Sequence, residues 1–217
     1  MPRTIAYGIL MIRAAGITLE VSVLALLLSV VVGLVIGMIA TVRWKPALVA
    51  TRLYVELIRS VPLLVLVFFA YYAVPLATNL SISPYVAATG ALAVFGGAYM
   101  AEVVRSGIQS VGRGQWEAAR ALGLGYAAIM RLVVLPQAMR VMVPAGIGVF
   151  INLIKESSVT SIIGFVELTQ TAINIRNTVF SLDPIFFAAV LYFVICFGLS
   201  RTGQRLELRF HGGTRGG

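Results

Sequence analysis

Apolar residues in this chain come in long blocks separated by brief polar intervals. After a mixed stretch from Met1 to Ala15, Ile17 to Val42 carries only Glu20 and scattered Ser, Thr and Gly among aliphatic side chains. That run is long enough to cross about 30 Å of hydrocarbon at about 1.5 Å per residue. It continues into Arg43-Trp44-Lys45 without the short core and small-residue cleavage site of a signal peptide, and it reads as a retained span. Comparable blocks follow at about 54–74, 85–104, 139–164 and 184–200. The pattern predicts an all-α integral membrane protein with five transmembrane helices, organised as one unit over residues 1–217.

Within these blocks a few residues carry local instructions. Gly33 and Gly37 form a small-xxx-small pair suited to close packing against another helix. Pro62 frees a backbone carbonyl and predicts a kink at the start of the second span, where Glu56 and Arg59 sit three apart and can pair along the helix edge or simply mark the interface. Val74 to Pro84 reads as an uncharged turn. Glu102 and Arg105 repeat the acid-then-base spacing at the end of the third span, either as part of a cross-helix ion-pair cluster or as side chains snorkelling to the interface. Phe165 to Leu182, with Glu167 and Arg176, reads as an amphipathic external stretch, and Asp183-Pro184 as N-cap and first residue of the fifth span.

The longest interruption runs over 108–136 and separates the third and fourth spans. Gly112 and Gly114 close the preceding helix. Gln115 to Leu122 then forms a short helix, Gly123 closes it in a left-handed cap, and Tyr126 to Val134 restarts the chain. Glu117 is expected in the first turn, where exposed N–H groups favour a carboxylate. Trp116, Ala119 and Leu122 share one face at helical spacing, and Ala118, Ala119 and Ala121 are small enough to admit another surface. The short helix therefore reads as a docking element; a helix lying on the membrane surface is the competing reading.

Composition removes whole classes of function. With 59% hydrophobic and 12% charged residues and a mean hydropathy of +0.97, the chain lacks the polar groups to cover a soluble globule. The net charge of +9 would suggest nucleic acid in a soluble protein, but here the Arg residues gather at the ends of apolar blocks. Arg43, Lys45 and Arg52 mark one loop, Arg105, Arg113, Arg120, Arg131 and Arg140 another, and Arg201, Arg205, Arg209 and Arg215 the tail. These segments are expected on the cytoplasmic side, which with five spans puts the N-terminus outside. Cys196 lies alone in an apolar run and reads as packing, and His211 has no companion ligand, so no metal site is expected.

Glu117-Ala118-Ala119, three residues, then Gly123, with Leu135-Pro136 following, resembles the cytoplasmic loop of the permease subunits of binding-protein-dependent ABC importers. E-L-I-R-S-V-P-L-L-V at 56–65, G-A-Y-M-A-E-V-V-R-S-G-I at 97–108 and K-E-S-S-V at 155–159 are similar to the permeases for polar amino acids, with Ser157 and Val159 standing where the family has Thr and Leu. The resemblance implies five spans and a coupling helix at Glu117, Ala118, Ala119 and Gly123 seated on a separate ATPase subunit that binds ATP and Mg. It also implies a second permease chain, an extracytoplasmic amino-acid-binding protein, and a place in the bacterial cytoplasmic (inner) membrane. No cofactor is expected in this chain.

Chemistry within the chain is sparse. Its two lysines, Lys45 and Lys155, follow no Gly-x-x-x-x-Gly and precede neither Ser nor Thr, so no phosphate-binding loop is present and the chain is not expected to hydrolyse ATP. Lys155 falls about 24 Å along a span starting at Met139. Either Lys155, Glu156, Ser157 and Ser158 line a substrate pathway, or the span ends early and the cluster sits at the outer interface. A third option pairs Lys155 and Glu156 with Glu102 or Arg105. A self-contained secondary transporter or a channel for small polar solutes is the competing class, but such transporters are commonly built from two related halves and no repeat is visible here.

Overall fold

A computed structural model describes residues 2–41 and 44–212, with side chains from residue 5 to residue 208. Val42, Arg43 and Arg215, and the side chains of Arg3, Arg209 and His211, lie outside the described residues. Among the described residues every element is helical. Four helical stretches are long and apolar enough to cross a membrane, Ile5–Ile39, Pro84–Gln109, Tyr126–Ile163 and Asp183–Leu208, and a fifth crossing is available if a bent pair of helices counts as one.

The first helix, α1, runs Pro2–Ile39 and so begins well before the predicted Ile17. Nothing after Pro2 breaks a helix, and the mixed stretch has a buried stripe of its own. Met11, Ala14, Thr18, Val21, Ala25 and Ser29 recur every three or four residues and are all buried.

A tight bend replaces the predicted kink at Pro62. Helix α2 (Lys45–Ser60) and helix α3 (Leu63–Phe68) are separate, and the axis turns by 102° between α2 and the stretch Leu63–Thr78 that α3 opens. Proline lacks the N–H that would continue the ladder and drives the preceding residue out of the helical region, and Val61 is accordingly extended at φ −95°, ψ 131°. The predicted second span is thus divided. Tyr54 in α2 donates to the Val94 carbonyl at 2.9 Å, holding α2 against the next long helix.

Beyond α3 the chain widens into a π-helical turn, Phe69–Ala73, and then continues as α4 (Val74–Thr78) where a turn was expected, ending at Asn79 in the left-handed region. A second π-helical turn, Met130–Val134, joins α7 (Tyr126–Ile129) to α8 (Leu135–Glu156). Each stops two residues before a proline, Pro75 or Pro136, and the intervening N–H bonds five residues back: Val74 to Phe69, Leu135 to Met130. The wide turn relieves the clash of the proline ring with the carbonyl four residues back.

Helix α5 (Pro84–Gln109) is the central element, capped by the Ser83 hydroxyl and buried along most of its length. It packs most extensively on α1, and glycines set the approach. A Cβ placed on Gly33 would lie 2.5 Å from Met100 Cβ, and one on Gly37 would lie 2.6 Å from Val104 Cβ. Ser29 donates to the Ala93 carbonyl across the same seam at 3.1 Å. After α8, which begins at Leu135 rather than Met139, a 3₁₀ turn (Ser157–Ile163) ends at Gly164, φ +77°. Helix α9 (Leu168–Val179) follows, and α10 (Asp183–Gly212) continues twelve residues past the predicted end at Ser200 because no breaker interrupts it. Asp183 is the first residue of α10 rather than its cap, with the Ser181 hydroxyl accepting from its N–H at 3.2 Å.

Gly33→Val is expected to lower stability by about 3 kcal/mol, the upper range for overpacking. Gly90→Ala, on the open face of α5, is expected to leave stability unchanged or raise it. Thermal midpoints in a mild detergent compare the two; equal midpoints would show that the glycine seam tolerates a side chain.

Candidate functional site

The short helix in the interruption, α6, runs Arg113–Ala121 with Gly112 as its N-cap residue. It starts two residues earlier than predicted, so Glu117 lies one turn inside it and not in the first turn. Trp116 is half-buried and Ala119 is buried, both against Val104, Ile108, Met130 and Val134. Trp116 also stacks on Tyr126 at 6.1 Å. Leu122, expected on the same face, is 80% exposed, and Leu124 packs there instead.

That exchange follows from the way the helix ends. Gly123 is left-handed at φ +77°, as its position predicted, its N–H bonds the Arg120 carbonyl at 2.9 Å, and the Leu124 N–H bonds the Ala119 carbonyl at 3.2 Å. This pair of bonds is the Schellman motif, which folds the chain back and brings the residue after the glycine onto the helix's buried side. Glu117, Ala118 and Arg120 are left exposed on the outer surface. Gln137 in α8 donates to the Gln115 side chain at 3.3 Å and ties α6 to the long helix that follows. A groove of about 1110 Å³ runs beside α6, with Arg52, Arg113, Glu117 and Arg120 among its walls.

A second, smaller cavity of about 390 Å³ lies between α1, α2 and α5 and brings together the four predicted ionisable residues Glu56, Arg59, Glu102 and Arg105. The ion pair within it joins Glu102 and Arg105 on the same helix, with the Arg105 Nε to Glu102 Oε2 at 2.9 Å, and Arg105 also donates to Gln109 at 2.6 Å. Arg59 does not pair with Glu56; its guanidinium lies over the Tyr99 ring, 5.1 Å from the centroid. The direct contact between α2 and α5 at this point is therefore a cation on an aromatic face; of the two readings of these residues, no ion pair joins the helices among the described residues, and Arg59 acts on Glu102 through its charge alone.

Lys155, Glu156, Ser157 and Ser158 stand where α8 tightens into the 3₁₀ turn. Lys155 is exposed and Ser157 is buried. Each serine hydroxyl donates to the carbonyl three residues back, Ser157 to Ile154 and Ser158 to Lys155, both at 2.7 Å. Neither Lys155 nor Glu156 pairs with Glu102 or Arg105: α5 and α8 run antiparallel, with Gly96 against Leu153 and Gly107 against Met142, which sets the two pairs at different levels of the bundle.

Sequence reading missed Glu167. Read only as part of an amphipathic stretch, it is fully buried and caps α9, accepting from the Thr169 and Gln170 N–H groups at 2.9 and 2.8 Å. It also accepts from the Tyr192 hydroxyl at 2.8 Å and the Thr18 hydroxyl at 3.4 Å. Burial pushes its carboxyl above the usual range, and the four donors oppose that. The signal was present as polar residues on the buried stripes of apolar helices, Thr18 in α1 and Tyr192 in α10.

Residues 29–211 match the family described as binding-protein-dependent transport system inner membrane component. The chain belongs to that family. It is accordingly a multi-pass inner-membrane protein, with α6 inside the matched region. Among relatives of this inner membrane component, the probable glutamine ABC transporter permease protein GlnP of Bacillus subtilis (strain 168) is 39% identical over 202 residues, covering 89% of this chain and 90% of the relative. The glutamine transport system permease protein GlnP of Escherichia coli (strain K12) is 38% identical, with 92% of each chain covered. A solved structure described as an amino acid ABC transporter with histidines superposes with a TM-score of 0.89 at 36% identity, over 95% of this chain and 97% of that one. The MetNI methionine ABC transporter, at 22% identity and a TM-score of 0.82, shares the fold.

Gly123→Ala isolates the backbone requirement of the cap, since open space surrounds the position. The left-handed conformation is expected to cost a non-glycine residue about 1–2 kcal/mol, and Gly112→Ala at φ −56° is expected to be neutral. Amide exchange at residues 123 and 124 should quicken in the first variant alone. Parental exchange in Gly123→Ala would mean that the cap does not depend on glycine.

Proposed function

We propose that this chain is the permease subunit of an ABC importer for polar amino acids. A separate ATPase subunit, present as a dimer, binds ATP and Mg and drives it; an extracytoplasmic binding protein feeds it; and a second permease chain, identical or homologous, completes the pathway. The observation that carries this reading is α6: a helix fixed by a glycine cap and a buried Ala119, leaving Glu117 and Ala118 exposed for a soluble partner. The substrate class comes from relatives that are named for glutamine. Residues 1–217 form one transmembrane unit in this reading, with five crossings when α2 and α3 to α4 count as one bent span, the N-terminus outside and α6 in the cytoplasm. The basic residues of the interruption and tail support that orientation.

Glu117 and Gly123 then act together, the carboxylate as a charge-assisted contact and the glycine as the fixture that sets its angle. Glu117→Ala is expected to leave membrane insertion intact, to release the ATPase during purification in detergent, and to reduce substrate uptake into proteoliposomes by at least about tenfold. Retention of the ATPase together with normal uptake would return α6 to the status of a surface helix.

The polar end of α8 is the candidate pathway lining. A zwitterion leaving water needs partners of both signs, and Lys155, Glu156, Ser157 and Ser158 supply both charges and hydroxyls. Cysteine scanning from Asn152 to Ser161 in a Cys196→Ser background is expected to find positions labelled by a water-soluble reagent and protected by substrate. Uniform inaccessibility across the window would remove the cluster from the pathway.

A further inference from the structure

Glu167 is a fully buried carboxylate whose bonding partners among the described residues are all uncharged. Two are backbone N–H groups at the start of α9, and the other two are hydroxyls on different helices. Thr18 belongs to α1 and also accepts from the Leu168 N–H at 3.1 Å, so one side chain serves both the carboxylate and the first residue of α9. Tyr192 belongs to α10, and its hydroxyl also lies 3.0 Å from the Thr169 hydroxyl. On its other side α9 itself packs against the 3₁₀ turn that begins at Ser157. Around the polar knot, Met11, Ala14, Leu168, Ala172 and Ala188 pack the same three helices together through mostly small side chains. A buried polar network that is fully satisfied holds its members in one arrangement, because any slip strands a group without water.

We propose that Glu167 and Tyr192 are positioning residues that lock α9 to α1 and α10, so that a displacement of the locked unit is carried by α9 to the turn at Ser157. From Ser157 the path is covalent: α8 runs without a break to Leu135 and, through the π-helical turn and α7, to the docking helix. An event at α9 thereby reaches both the Lys155 to Ser158 cluster and the surface offered to the ATPase. The transmission half of this proposal rests on the function proposed above: with the N-terminus outside, α9, packed on the first turns of α1, lies on the side from which the binding protein delivers substrate. The lock itself does not.

Tyr192→Phe deletes the hydroxyl and keeps the ring and the cap of α9. Hydrogen exchange on the purified permease in nanodiscs reads the lock: α9 amides are expected to exchange about tenfold faster than in the parent, with α5 unmoved. Thr18→Ser, which keeps both hydroxyl bonds, is expected to behave as the parent, and Thr18→Val as Tyr192→Phe. Parental exchange of α9 in Tyr192→Phe overturns the lock. Transmission is read as the ATPase rate of the reconstituted permease and ATPase complex, with and without its binding protein loaded with glutamine. The Tyr192→Phe complex is expected to keep the basal rate and lose most of the stimulation; full stimulation overturns transmission. A parental complex that the loaded binding protein does not stimulate overturns the proposed function and transmission with it, while exchange still decides the lock.

Discussion

The fold depends on how closely α1 and α5 approach each other. Gly33 and Gly37 meet Met100 and Val104 at distances that leave no room for a Cβ, and Gly96 and Gly97 make the reciprocal approach to Ser29 and Val32. In hydrocarbon, lipid tails are as apolar as the side chains, so burial alone does little to bring helices together. Close packing and hydrogen bonds across the seam carry the association instead. The bond from Ser29 to the Ala93 carbonyl is one such bond. With that pair fixed, α5 offers its remaining faces to α2, α3 and α8, and the C-terminal ends of α1 and α5 enclose, with α2, the cavity that holds Glu102 and Arg105.

Where local rules decide structure, the sequence was legible. Gly123 announces a left-handed cap, and it closes α6 with both bonds of the Schellman motif. Long apolar blocks announce helices, and the glycine pair announces a close neighbour. The misses fall where a local rule competes with something distant. Pro62 predicts a kink, but the size of the turn is set by the packing of α3 on the core through Leu63 and Val67 and of α2 on α5 through Tyr54. The start of α1 looked too polar to belong to a span, yet its buried stripe meets α9 and α10, which come more than 150 residues later in the chain.

Charged residues were the least legible. A Glu and an Arg three apart can satisfy each other, as Glu102 and Arg105 do, but the same spacing at Glu56 and Arg59 does not, because the Tyr99 ring is within reach of Arg59. The burial of Glu167 was not legible because its partners Thr18 and Tyr192 stand 149 and 25 positions away, and no short window contains them. Family membership says what the whole chain is related to; contacts of this length say which of its polar groups are committed to structure and which remain free for other work.

The π-helical turn before Pro136 has a geometric consequence for the outer surface of the molecule. Such a turn is an α-helix carrying one surplus residue, which is why Ile129 and Val134, five apart, are both buried. Remove that residue and everything upstream, α6 included, would rotate by about 100° about the axis of α8 and shift by about 1.5 Å. The bearing of Glu117 relative to the long helix is thus clocked by an insertion in the backbone count, and a neighbour docking there meets an angle that no side-chain substitution on α6 can reset.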